Sequence, residues 1–174
     1  MDLNDPGKYL EQDALERVFS GFGREDITEA RKLVKAFFGS PLFRQLQRAK
    51  QVRREVDFVL NLRRGLVHGK LDVLFEDEEG EWHILDYKTA LGDELSARKS
   101  GYDLQIAVYA LAAHKILGVP LRSGILYYLK NNKEVVTDFP SGGQAPEHFE
   151  KIEKQICALQ EKILNFSNEM SAKT

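Results

Sequence analysis

The apolar positions of this chain change their period along its length. Over residues 8–20 and 25–38 they recur at helical spacing (Leu15, Val18, Phe19, then Ile27, Leu33, Val34, Phe37), which predicts two helices. Gly21 and Gly23 separate them, Gly39-Ser40-Pro41 ends the second, and a short helix over 41–49 follows. From residue 52 the period falls to that of a strand. Val56, Phe58, Leu60 and Leu62 alternate with Glu55, Asp57 and Asn61. Val67, Leu71, Val73 and Phe75 then alternate with His68, Lys70 and Asp72. Residues 52–62, 66–76 and 82–88 therefore read as a three-strand meander. Its connections, "NLRRGL" and "EDEEGE", are short, polar and glycine-containing, as hairpins require.

Helical spacing returns over 96–117, apolar on most faces (Leu104, Ile106, Val108, Leu111, Ile116), which predicts one long, largely buried helix stopped by Gly118 and Pro120. "GILYYLK" and "KEVVTDF" read as two further strands around a turn at Asn131-Asn132. A last helix begins near Pro146. Its stripe of Phe149, Ile152, Ile156, Leu159, Ile163 and Phe166 predicts a face docked on the rest of the domain. A helix between the third and fourth strands permits a crossover. The expected fold is α/β, a mixed central β-sheet of about five strands flanked by helices. Residues 1–50 are expected to supply helices that pack on a core formed by 51–174.

Polar residues in this pattern fall into a constellation. If the second hairpin closes symmetrically about Glu79, Asp72 stands directly opposite Asp86. Partners across a hairpin share a face, with Cβ atoms about 5 Å apart. Two facing carboxylates repel unless a cation or a shared proton lies between them. Lys88, two residues beyond Asp86, is on the same face. If Arg63-Arg64 form a two-residue loop in the first hairpin, Glu55 stands opposite Asp72, and three carboxylates converge beside Lys88. A three-residue loop would turn Glu55 to the other face.

Oxygen-rich clusters of this kind suit Mg²⁺ or Mn²⁺, and a lysine beside them suits a phosphate as a point charge. The plain alternative is a structural Asp–Lys pair at a strand end. On the long helix, Gln105 and Tyr109 share a face with Tyr102, and Gln105 is the polar exception in an apolar segment. They read either as contacts to the site or as a satisfied core pair.

Composition narrows the setting. The chain has 174 residues, 43% hydrophobic and 30% charged, the balance of a globular domain. One cysteine, Cys157, excludes a disulfide framework and a four-cysteine cluster built by this chain. No apolar run reaches the roughly 18 residues of a transmembrane helix, and the acidic N-terminus is no secretory signal, so a cytoplasmic location is expected. Net charge is −2, without a global basic signal. Arg44, Arg48, Lys50, Arg53, Arg54, Arg63, Arg64 and Lys70 nevertheless concentrate positive charge in one stretch, either a solvated surface or a field for phosphate.

"RREVDF", "HGKLDVLFEDEEGEWHILDYKTA" and "YDLQIAVYALA", in this order and spacing, resemble the RecB-family nucleases of the PD-(D/E)XK superfamily. They are most similar to the nuclease module of AddA-type helicase–nucleases. The resemblance runs from about residue 40 to the C-terminus. It implies a restriction-endonuclease-like fold and Mg²⁺- or Mn²⁺-dependent hydrolysis of DNA, single strands above all, in DNA break processing and recombination. It also implies partnership with helicase domains of a longer chain and with a partner subunit. By the same resemblance Asp72, Asp86 and the Tyr87 carbonyl correspond to metal ligands, and Lys88 to the catalytic lysine. Glu55 corresponds to a supporting acid, and Gln105 and Tyr109 to the Q-x-x-x-Y helix motif. One departure stands out. These nucleases usually take a further metal ligand, a histidine, from an upstream helix, and residues 1–67 contain none. His68 lies four residues from Asp72, about 13 Å along a strand. The resemblance thus implies a piece of a longer protein with weaker metal binding, and it keeps open a non-catalytic module that binds DNA or docks a partner.

Overall fold

The computed structural model describes residues 23–99, 101–140 and 142–171, together with Leu3, Gly7, Glu11, Arg17 and Gly21. The helix expected over 8–20 lies outside the described residues. Two helices lead into the sheet, α1 (Arg24–Phe38) and α2 (Pro41–Arg48). Ser40 caps α2, its hydroxyl accepting from the Phe43 N–H at 3.0 Å, and Pro41 occupies the first turn, where its missing N–H costs nothing. The strands are β1 (Gln51–Leu62), β2 (Gly65–Glu76), β3 (Trp82–Lys88), β4 (Leu121–Tyr128) and β5 (Lys133–Asp138), adjacent in that order in one sheet. β3 and β4 run parallel and the other pairs antiparallel, so the sheet is mixed as expected.

Between β3 and β4 the chain crosses over. Here the expected single helix over 96–117 is broken: α3 (Glu94–Lys99) stops before Gly101, and α4 (Tyr102–Ala112) starts after it. Gly101 has φ +70°, a left-handed conformation that interrupts the helical path and that only glycine adopts without strain. α4 ends in a π-turn (Ala113–Leu117), and α5 (Ala145–Ser171) closes the fold.

Two cores sandwich the sheet. α4 and the first half of α5 cover one face, burying Leu71, Leu74, Ile84, Ile106, Leu126, Phe149, Ile152 and Ile156. α1 and α2 cover the other, where Phe37, Leu42, Phe43 and Leu46 meet Val73, Phe75, Leu85 and Tyr127. Each such aliphatic or aromatic side chain contributes about 1.5–3 kcal/mol on burial. The apolar stripe of α5 docks only in part, however. Leu159 is partly exposed, and Phe166 is 65% exposed.

Close approach of α4 to the sheet depends on β4. Gly124 lies under Ile106, and a Cβ there would stand 2.4 Å from Ile106 Cγ2. That absence of a side chain lets α4 settle low enough for its polar face to reach the ends of β3 and β4.

Candidate active site

The register of both hairpins is the one the sequence implies. Val73 and Leu85 are the last paired rung of β2·β3, on the register that sets Asp72 toward Asp86. Arg54–Val73 and Val56–Leu71 bracket Glu55 opposite Asp72 in β1·β2, with Arg63-Arg64 as the two-residue loop. At that rung the alternation slips. Val52 on β1 and Val73 and Phe75 on β2 pack in the α1/α2 core, whereas Val56 and Phe58, and Leu71 and Val67, pack in the α4/α5 core. Glu55 supplies the twist with φ +52°, an unusual conformation for a residue with a side chain. The outer half of the hairpin thereby curls over the helical face, and Asp72 sits at the bend.

Asp72 Oδ2 accepts the backbone N–H of Tyr87 at 2.9 Å, placing this carboxylate against the peptide between Asp86 and Lys88. Lys88 Nζ lies 2.6 Å from Asp86 Oδ2 and donates to Gln105 Oε1 at 2.6 Å. The same ammonium sits 4.0 Å from the centroid of the Tyr102 ring, a cation–π contact. Gln105 Nε2 in turn donates to the Tyr109 hydroxyl at 2.8 Å. Because an ammonium only donates, the Gln105 carbonyl must face Lys88 and its amide must face Tyr109. Tyr109 therefore keeps its own O–H free to donate onward.

Electrostatics make the cluster uncomfortable as it stands. Asp86 is 2% exposed. Burial raises its proton affinity above the ordinary carboxylate range, Lys88 opposes this, and the charge of Asp72 adds to it. Tyr109 is likewise pushed up, by burial first, with Gln105 opposing and then Asp86 and Asp72 reinforcing. Two carboxylates and one ammonium leave a net negative charge where Asp86 is buried and Asp72 and Lys88 are half-buried. Asp86 Oδ2 is buried, with the ion pair to Lys88 but no well-aligned hydrogen bond. An all-oxygen donor set with uncompensated negative charge fits a hard divalent cation.

Other residues expected at the site stand elsewhere or bind differently. Glu55 reaches Lys70 at 3.4 Å and is largely exposed, and Lys70 also reaches Asp57 at 3.7 Å. The side chain of Tyr87 turns to the opposite face, edge-on to Phe37 at 5.3 Å. His68 pairs with Val59 in the exposed outer half of the hairpin. The basic stretch is partly neutralised: Arg48 pairs with Glu78, Arg64 with Glu161, and Lys70 with the acids just named. Arg54 stays exposed, close enough to Tyr87 for its charge to act on that phenol. Tyr102 is the contact that residue chemistry alone left unassigned. Its spacing of three from Gln105 was the available signal.

Asp77, Glu81 and His83 form a second group, with potential ligand atoms within 4.8 Å of one another. Its atoms are already engaged. Asp77 Oδ1 accepts the N–H groups of Glu79 (3.0 Å) and Glu81 (2.8 Å), and Oδ2 faces His83 Nε2 at 3.0 Å. His83 Nδ1 meets Ser123 Oγ at 2.8 Å, and Glu81 pairs with Arg122. This is a lock on the β2–β3 turn, at the end of β3 remote from Lys88.

The profile of the PD-(D/E)XK nuclease superfamily matches residues 5–173. The chain belongs to that superfamily. Among curated proteins, family relatives include an ATP-dependent helicase/nuclease subunit from Lysinibacillus sphaericus, 33% identical over 120 residues, which cover 60% of this chain and 10% of the relative. Its counterpart from Alkaliphilus oremlandii is 30% identical over 149 residues, covering 73% of this chain and 12% of the relative. The chain thus spans about a tenth of the length of these helicase/nuclease subunits. A crystal structure from Eubacterium rectale superposes over 95% of this chain and 68% of its own, with a TM-score of 0.53 at 13% identity, and so shares the family fold. The Asp72–Asp86–Lys88 cluster lies at the carboxyl end of β3, where open α/β sheets bind their ligands. Among the described residues no helix is long and apolar enough to cross a membrane.

Proposed function

We propose that this domain hydrolyses DNA phosphodiester bonds with a divalent cation, Mg²⁺ or Mn²⁺, as the nuclease module of a helicase–nuclease acting in DNA break processing. The observation that carries the reading is Asp72 bonded to the peptide between Asp86 and Lys88, with Gln105 holding the lysine. Asp72, Asp86 and the Tyr87 carbonyl would hold the cation. When bound, it supplies charge neutralisation to the phosphate and acidifies water. The chain's own residues do the rest. Lys88 presents a fixed positive charge where negative charge develops on the phosphate oxygens. Gln105 sets the direction of that ammonium, and the Tyr109 hydroxyl sets the direction of the Gln105 amide. Tyr102 shields the ammonium from water on one side. Glu55, exposed and paired with Lys70 on the edge strand, stands apart from the cluster. The exposed Arg54 supplies backbone attraction for a single strand. Residues 51–174 form the nuclease core, with the preceding helices as its cover.

The test is incubation of single- and double-stranded DNA with Mn²⁺ or Mg²⁺, comparing wild type with Lys88→Ala. Degradation by wild type and its loss in the variant support hydrolysis. Equal behaviour of the two, with DNA binding retained, overturns it in favour of a non-catalytic DNA-binding or docking module. That second reading draws on residues 1–67 holding no histidine to serve as the further metal ligand, with His68 set apart from Asp72 along the strand.

A further inference from the structure

Tyr128 is 1% exposed, yet its hydroxyl has no hydrogen-bond partner among the described residues. A buried hydroxyl left unpaired costs about 1–3 kcal/mol, and native proteins keep few of them. Its position is informative. Tyr128 is the register partner of Lys88 in the parallel β3·β4 pair and shares the sheet face that carries Asp86 and Lys88. Asp86 Oδ2 is likewise buried without an aligned hydrogen bond, its charge met by Lys88 Nζ at 2.6 Å. Burial first, and then the neighbouring Tyr102, Asp93 and Asp86, push the Tyr128 phenol above its ordinary range.

The ring is held in place by the chain that leaves the site. Gly92, four residues after Lys88, lies flat on it: a Cβ at Gly92 would stand 1.9 Å from Tyr128 Cε1. The Gly92 carbonyl accepts from Asn131 Nδ2 at 2.8 Å, and the Leu129 N–H donates to the Lys88 carbonyl at 2.9 Å. The loop after Lys88 and the turn after Tyr128 are therefore fastened to each other, with the Tyr128 ring between them.

We infer that Tyr128 is a positioning residue of the site, its hydroxyl sharing one buried water with Asp86 Oδ2 and so fixing that carboxylate for a divalent cation. One buried water satisfies two such groups at once. Outer partners that orient a ligating side chain are typically worth about 10–100-fold in metal affinity. The inference rests on the reading of Asp72 and Asp86 as metal ligands.

Mn²⁺ titration by calorimetry, with no DNA present, tests it on wild type, Tyr128→Phe, Gly92→Ala and Asp72→Asn, with a thermal melt of each. Tyr128→Phe removes one oxygen and keeps the ring. About tenfold weaker Mn²⁺ binding at an unchanged melting temperature is expected. Gly92→Ala, which keeps the hydroxyl but displaces the ring, weakens binding similarly. Wild-type affinity in Tyr128→Phe, with or without a raised melting temperature, overturns the inference and reduces Tyr128 to packing. If Asp72→Asn also binds like wild type, the metal-ligand reading itself falls, a result distinct from failure of Tyr128 alone.

Discussion

Asp72 and Tyr87 are joined by a 2.9 Å hydrogen bond from the Tyr87 main chain to the Asp72 carboxylate. A side chain of β2 thus completes the backbone bonding of β3 between its two charged residues. The bond fixes one acid of the site without using Lys88, and it leaves the lysine to Asp86 and Gln105.

This separates stability from chemistry at Asp72. Asp72→Asn retains an oxygen acceptor for the Tyr87 N–H, so its melting temperature stays close to that of wild type while Mn²⁺-dependent DNA degradation is lost. Asp72→Ala loses both, with a stability cost of about 1.5–3 kcal/mol for a hydrogen bond to a charged group. Urea denaturation of the two variants beside a DNA degradation assay reads the difference.

Placement of α4 sets the direction of Lys88. Gln105→Ala leaves the ammonium with Asp86 and the Tyr102 ring, and turnover is expected to fall about tenfold or more with DNA binding little changed. Gly124→Ala acts on the same contact from below. The new methyl drives Ile106 away from β4, at a cost of about 1–3 kcal/mol, and lifts Gln105 from Lys88. Binding and turnover measured separately would expose any contrary result, such as a loss confined to DNA affinity.

The turn lock at Asp77 predicts a pH dependence. Burial alone would raise its pKa, but the bonds from His83 and from the Glu81 and Glu79 N–H groups outweigh it, and the carboxyl lies below its ordinary 3.8. A depressed carboxylate contributes stability that is present above its unfolded pKa and lost as pH falls through its folded one. Asp77→Asn is therefore destabilised at neutral pH. Its deficit against wild type shrinks only on acidification below 3.8, as read by denaturation over an acid series.

The two halves of α5 should respond differently. Phe149 is buried and stacks on His114 at 4.2 Å, so Phe149→Ala is expected to cost about 3–5 kcal/mol. Phe166 is largely exposed, and Phe166→Ser should lie within about 0.5 kcal/mol of wild type. Chemical denaturation distinguishes them, and a large loss at Phe166 would mean that the distal half of α5 is covered in solution.

The sequence by itself determined the strands, the mixed sheet and the register of both hairpins. Strand period, turn residues and loop length are local properties; the two-residue loop at Arg63-Arg64 sets one register, and symmetric closure about Glu79 sets the other. Asp72, Asp86 and Lys88 were legible for the same reason, since hairpin symmetry alone places them together. Only the tertiary structure decided the rest. Glu55 keeps its place in the register, yet a left-handed backbone, compatible with the pattern but not dictated by it, couples it to Lys70. Gly101 breaks a helix whose apolar spacing runs straight through it. The relation of Tyr128 and Tyr102 to Lys88 passes through a parallel pairing and a crossover helix far apart along the chain, so no local pattern carries it. Such contacts depend on how closely α4 packs on β4, a distance set by one missing side chain at Gly124.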